Sequence, residues 1–172
     1  EPYRRQRQMC IRDSDGVVTA QAGVSLAYMA SRLASKGLKG FAFAGGIPGT
    51  LGGAVRMNAG AYGGEMKQVL ESVEVMTADG EFLTIPVEEM GLAYRTSVVE
   101  QKNYIVLEAV ISLEKGNPEK IKEVMDDLKE KRVTKQPLEY ASAGSTFKRP
   151  EGYFAGKLIM DSNCLLYTSP SP

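Results

Sequence analysis

Chemistry in this 172-residue chain can reside in its glycine-dense middle, around Arg95 and around Ser145. Eight of the 18 glycines fall between Gly45 and Gly64. Glycine loses more backbone freedom on folding than any other residue, so such a cluster marks a backbone that turns sharply or lies against a ligand. A flexible linker would be Gly/Ser-rich and solvated. Here Ile47, Leu51, Val55 and Met57 are apolar and Pro48 is stiff, so a ligand-apposed loop is expected instead. The run has neither the Gly-Lys-Ser/Thr ending of a P-loop nor a Gly-x-Gly-x-x-Gly fingerprint. What it offers is backbone N–H groups that can hold a pyrophosphate or flank a flat ring, with Asn58 and Tyr62 as added polar groups. Arg95, in Leu92-Ala93-Tyr94-Arg95-Thr96-Ser97, could grip a carboxylate with two prongs. Ser145, in Ala143-Gly144-Ser145-Thr146-Phe147-Lys148, has Lys148 and Arg149 close by, and a cation could stabilise its oxygen after proton loss. Taken singly, a structural arginine and a turn serine are the simpler readings, and Lys135, between Arg132 and Pro137, invites the same caution. The three gain meaning together.

Composition removes other chemistries. With no histidine, a Ser-His-Asp triad and any His-ligated metal site are excluded. Cys10 and Cys164 lie near opposite ends, which gives no metal-ligand spacing and at most one disulfide, so no metal and a reducing, cytoplasmic setting are expected. Net charge is +0 and no long basic run interrupts the globular part, so nucleic acid is not an expected partner. The longest uncharged stretch, Gly40 to Val55, is too short for a bilayer span and is broken by Gly and Pro, so no membrane partner is expected either. A soluble monomer is the default.

The elements that must position these groups follow from periodicity. Val17 to Ala22 reads as a strand stopped by Gly23. Ser25 is placed to cap a helix carrying Leu26, Met29, Ala30 and Leu33 on one face, ending before Gly37. After the glycine run, Met66 to Leu70 suggests a short helix and Val73 to Met76 a strand. The turn Ala78-Asp79-Gly80 returns the chain into Phe82 to Ile85 as a hairpin. Pro86 to Met90 reads as a loop with a helical turn, and Tyr104 to Leu113 as a sheet strand. Glu114 to Pro118 marks a boundary. From Glu119 to Arg132, Ile121, Val124, Met125 and Leu128 recur at helical spacing, and Pro137 ends that helix. A further helix begins between Tyr153 and Met160. Residues 1–14 and 162–172 have no clear period and are expected to be disordered or foreign tails.

Four motifs occur in order: Gly46-Ile-Pro-Gly-Thr-Leu-Gly-Gly-Ala-Val with Met57-Asn-Ala-Gly-Ala-Tyr-Gly63, Tyr94-Arg95-Thr96-Ser97, Arg132-Val-Thr-Lys135-Gln-Pro137, and Ala143-Gly-Ser145-Thr-Phe-Lys148. Together they resemble the UDP-N-acetylenolpyruvoylglucosamine reductase family, flavoenzymes of peptidoglycan precursor synthesis. The likeness runs from about Asp15 to Asp161, and Leu138-Glu139-Tyr140 looks like the family's shorter, second class. The resemblance implies an α+β protein: an FAD-binding fold of the vanillyl-alcohol-oxidase (PCMH) type over residues 15–134, and the start of a separate substrate domain over residues 135–161. It places Ile47, Pro48, Gly49, Thr50, Gly53, Asn58, Gly60 and Ala61 against FAD. Arg95 is assigned to steadying the enolate intermediate, Ser145 to donating the proton, Lys135 to the UDP group and Arg149 to a further substrate contact. NADPH is the implied hydride donor and a UDP-sugar the implied substrate.

The same resemblance implies a second glycine-rich pyrophosphate loop upstream and the rest of a substrate domain downstream. The chain is therefore expected to be an internal fragment that folds partly and does not turn over alone. Two other classes remain open at this point. One is a non-catalytic module binding FAD or a nucleotide sugar, against which Ser145 and Arg95 both argue. The other is a different oxidoreductase of the same flavin fold acting on an alcohol.

Overall fold

A computed structural model describes residues 11–135 and 147–162. The chain divides into two units, Glu1–Gln136 and Pro137–Pro172. In the first, β1 (Ile11–Ser14) and β2 (Val17–Gln21) form a hairpin through Asp15 and Gly16, whose φ angles are 47° and 90°. A two-residue hairpin turn needs positive φ at both central positions, and Asp-Gly is a preferred pair for it. The tail expected to reach Ser14 is therefore ordered from Ile11 onward, as an edge strand. Next come α1 (Leu26–Ser35), β3 (Leu38–Lys39) and a single 3-10 turn, Ala42–Gly46. Then follow α2 (Leu51–Arg56), β4 (Gly60–Ala61) and β5 (Gly64–Glu65).

A 3-10 turn over Met66–Gln68 stands where a short helix was expected, because β6 (Leu70–Met76) begins immediately afterwards. β7 (Phe82–Pro86) returns along β6, with Thr77 N–H donating to Glu81 O at 2.8 Å across the turn. After a 3-10 turn over Val87–Glu89 come α3 (Val98–Gln101), β8 (Ile105–Ser112), β9 (Glu114–Lys115) and α4 (Pro118–Lys135). The boundary expected at Glu114 is thus partly a strand, pairing with β3. α4 begins where Asn117 Oδ1 accepts from Glu119 N–H at 2.8 Å, with Pro118 at the first helical position, where its missing N–H costs nothing.

The main sheet has the order β1-β2-β8-β6-β7, and every neighbouring pair is antiparallel. One rung runs across four strands as Ala20, Ala109, Val73 and Ile85, all buried. Leu26, Met29, Ala30 and Leu33 of α1 and Leu51, Ala54 and Val55 of α2 join the same core. Each large side chain among them contributes about 1.5–3 kcal/mol relative to exposure. Ser25 sits at the start of α1 but makes no side-chain cap; it bridges to Thr50 instead. On α4 the inward residues are Ile121, Met125 and Leu128, while Val124, expected on that face, is 50% exposed. The second unit contains α5 (Ala155–Asp161), preceded by exposed Phe147, Tyr153 and Phe154.

Candidate functional site: a glycine loop and the Arg95 turn

The glycine run is not one open loop. Its inner edge is fastened to the connection between β2 and α1: Leu51 N–H donates to Val24 O at 2.9 Å, Leu26 N–H to Gly49 O at 3.1 Å, and Gly52 N–H to Ala22 O at 2.9 Å. Leu51 to Arg56 then coils into α2, although two of its residues are glycine, each costing about 1 kcal/mol in a helix relative to alanine. Gly52 is explained by packing, since a Cβ there would stand 2.9 Å from the Cβ of Ala22. Gly53 is not explained that way. It is exposed, and a Cβ would meet only Thr50 Oγ1, at 3.8 Å. Gly49, at φ 141°, has nothing within 4 Å of that position.

At Gly49 and Gly53 the outer edge of the loop therefore presents bare backbone to open space while its inner edge is fixed. A bare, rigid backbone edge of this kind fits the flat, extended body of a flavin, because side chains there would hold the ligand away. Ile47 and Thr50 are half-buried, and Pro48 and Gly49 are exposed. Gly60 and Ala61 form β4 of a tight hairpin with β5, and exposed Tyr62 and Gly63 make its turn.

Asn58 is a further residue that the resemblance places against FAD. It is 3% exposed, and its side chain is engaged inside the protein. Its Nδ2 donates to Glu65 Oε2 at 3.0 Å and to Ala93 O at 3.2 Å, while Lys67 N–H donates to its Oδ1 at 2.9 Å. Both side-chain donor hydrogens are thereby used. Glu65 and Gln68 form a reciprocal capping box around the following 3-10 turn, a pairing the Glu-x-x-Gln spacing could have announced.

Arg95 lies at the tip of a loop narrowed in stages. Val98 N–H donates to Met90 O at 2.8 Å at the base, and Ala93 and Thr96 exchange two backbone bonds of 3.3 Å at the neck. Arg95 has φ 57°, in the left-handed region, and its guanidinium carbon is 5.6 Å from the centre of the Tyr94 ring. Ser97, fully buried, donates its hydroxyl to Arg56 O, the last carbonyl of α2, at 2.6 Å. Ser97 closes the Tyr94-Arg95-Thr96-Ser97 motif, and nothing in its spacing points to this role. The structure thus brings the Arg95 loop against the end of α2, in the middle of the glycine run.

Lys135 is the final residue of α4. In the second unit, the Arg149 guanidinium lies 4.9 Å from the Phe154 ring centre. Ser145, Cys10 and Cys164 lie outside the described residues. Among the described residues no group of acidic or sulfur ligands could hold a metal ion, and no helix is long and apolar enough to cross a membrane.

The class of protein follows from this arrangement. The chain has an α+β FAD-binding fold, and residues 5–86 match the family model described as FAD binding domain. That match begins within the stretch set aside above as a tail. More particularly, the chain is 55% identical over 146 residues to the UDP-N-acetylenolpyruvoylglucosamine reductase of Lachnoclostridium phytofermentans, covering 85% of this chain and 47% of that protein. It is 60% identical over 144 residues to the reductase of the same name from Exiguobacterium sibiricum, covering 83% and 47%. The solved structure of UDP-N-acetylenolpyruvylglucosamine reductase (MurB) from Thermus caldophilus superposes with a TM-score of 0.76 at 36% identity, over 88% of this chain and 55% of that one. The chain spans about half the length of the curated relatives it matches. Over that shared stretch it is similar to the UDP-N-acetylenolpyruvoylglucosamine reductases, as its ordered motifs led us to expect.

Proposed function

We propose that this protein is an NADPH-dependent flavoenzyme that reduces the enolpyruvyl ether of UDP-N-acetylglucosamine-enolpyruvate to UDP-N-acetylmuramate, in peptidoglycan precursor synthesis. The chain would contribute an FAD-binding domain up to residue 134 and the start of a substrate domain over residues 135–161. The observation that carries this reading is the bare outer edge at Gly53, where neither packing nor a positive φ requires glycine and a Cβ would meet only Thr50 Oγ1, at 3.8 Å. Sequence identity of 52–60% to reductases of that name supports it. A cytoplasmic monomer without a nucleic-acid or membrane partner completes the proposal.

Bound FAD would supply two-electron chemistry, drawing on NADPH. The chain's own residues would do the rest. Ile47, Pro48, Gly49, Thr50, Gly53, Asn58, Gly60 and Ala61 would hold the flavin, and the Asn58 side chain would also fix the backbone around it. Reduction at the terminal carbon of the enol ether places negative charge on the neighbouring carbon and its carboxylate, where a fixed cation helps most, and Arg95 is the group proposed there. Ser145 would deliver the proton to that carbon. A serine is a weak acid, so its site must also stabilise the alkoxide left behind; proton donation of this kind contributes typically ~10²–10⁴ in rate. Lys135 would meet the UDP moiety and Arg149 another part of the substrate.

The test begins with colour. Purified protein completed at both ends and given FAD should retain it, turn yellow, and oxidise NADPH faster when the enolpyruvyl sugar nucleotide is added. A colourless product indifferent to FAD would sink the proposal. NADPH oxidation that ignores the sugar nucleotide would point instead to another reaction on the same fold.

A further inference from the structure

Arg95 occupies a backbone conformation that non-glycine residues adopt only where the surroundings impose it. The loop around it is secured on both sides, two residues before and two residues after. On one side Ala93 O receives the Asn58 amide at 3.2 Å; on the other the Ser97 hydroxyl reaches Arg56 O at 2.6 Å. Both anchoring side chains are buried, at 3% and 0% exposure, and both reach residues distant in sequence. Ser97 does so at the expense of a local option. It stands at the N-cap of α3, where a serine ordinarily turns back to bond the first turn, yet it makes no such cap. Its hydroxyl is directed to the end of α2, so the loop tip is tied to the helix that closes the glycine loop.

We propose that Ser97, seconded by Asn58, is a positioning residue for Arg95: it clips the Arg95 turn to the end of α2 and so fixes where the guanidinium stands. This rests on the role given to Arg95 above. The two anchors bracket the turn symmetrically, and each bonds a backbone carbonyl, which sets the path of the chain whatever side chains surround it.

The test is a double-substitution cycle in the FAD-loaded protein, with S97A, R95A and both together. Flavin reoxidation by the enolpyruvyl sugar nucleotide is the measured step, and flavin reduction by NADPH is the internal reference. S97A should slow reoxidation about tenfold to 100-fold, as expected when a reacting group is displaced by a fraction of an ångström to an ångström. Added to R95A it should change the rate by less than about twofold, because it acts through Arg95. Independently of activity, amide exchange at Ala93 and Thr96, whose N–H groups close the turn, should accelerate about tenfold in S97A while amides of β6 and β8 keep their protection. Equal slowing in both backgrounds, or unchanged exchange at the turn, would overturn the proposal. If R95A itself leaves reoxidation untouched, the reading of Arg95 fails, and the exchange measurement alone then decides whether the clip exists. Should S97A not fold, S97C, which keeps the volume and weakens the donor, is read by the same measurements. Loss of fold in both would overturn the proposal, marking Ser97 as a folding residue.

Discussion

At the scale of single residues, the division of labour in the proposed chemistry is sharp enough to separate kinetically. Ser145→Ala removes a proton donor and nothing that FAD or NADPH would need. We expect the variant to be reduced by NADPH at the parental rate and to be reoxidised by the enolpyruvyl sugar nucleotide ~10²–10⁴ more slowly. Stopped-flow absorbance of the flavin resolves the two halves, and an equal loss in both would remove Ser145 from the acid's role. Arg95 and Ser145 were visible as candidates from their neighbours in sequence, whereas the use made of Asn58 was not. An asparagine in a glycine-rich loop reads as a ligand contact. Only the fold brings Glu65, Lys67 and Ala93 within reach of its amide, and the last of these is 35 residues away.

At the scale of elements, the two adjacent glycines of α2 make opposite predictions. Gly52→Ala would drive a methyl into Ala22, and overpacking of this kind costs about 1–3 kcal/mol, which a urea melt would register as a lower midpoint. Gly53→Ala adds its methyl to open space and improves helix propensity, so it should stabilise the fold by up to about 1 kcal/mol. The same methyl lies on the proposed flavin edge, so FAD titration should show weaker binding. Unchanged affinity in Gly53→Ala would mean that the bare edge seats something else.

Elements of strong period were legible in advance: α1 from its apolar spacing, β6 and β7 from the Asp-Gly turn between them, and α4 from its heptad-like run. Those set by long-range contact were not. β3 and β9 are two residues each and exist because they meet, and Ser25 gives up a cap to pair with Thr50. The hairpin at Asp15-Gly16 was readable, since its turn signal is as strong as the one at Asp79-Gly80.

At the scale of the whole molecule, charge is balanced and no histidine is present, so no side chain with an ordinary value near neutrality titrates on unfolding. Unfolding free energy should be flat between about pH 6 and 8. At the acid end, the hydrogen bond and charge of Lys39, 2.6 Å away, hold the Glu114 carboxyl below its ordinary range. A carboxylate lowered in the folded state binds its proton first in the unfolded chain. Its contribution is therefore complete above the ordinary carboxylate value and is lost as pH falls through the lowered one. Because the pair is exposed, the effect is small and sensitive to salt. A carboxyl-carbon NMR titration of Glu114 should show the lowered midpoint, and Lys39→Met should return it to the ordinary range.

The sheet order has a consequence for how the molecule comes into being. β8 lies at the centre of the sheet, between β2 and β6, yet it is the last of the five strands along the chain. On the ribosome, β1–β2 and β6–β7 emerge as separate two-stranded ribbons, and such ribbons are marginally stable by themselves. They can be joined only when Ile105–Ser112 slides between them, so long-range pairing sets the pace of folding. The glycine run and the Arg95 loop both precede that strand and are synthesised before the sheet behind them can close. A nascent chain cut short before residue 105 would carry every glycine of the proposed flavin edge and have no completed sheet to hold them in place.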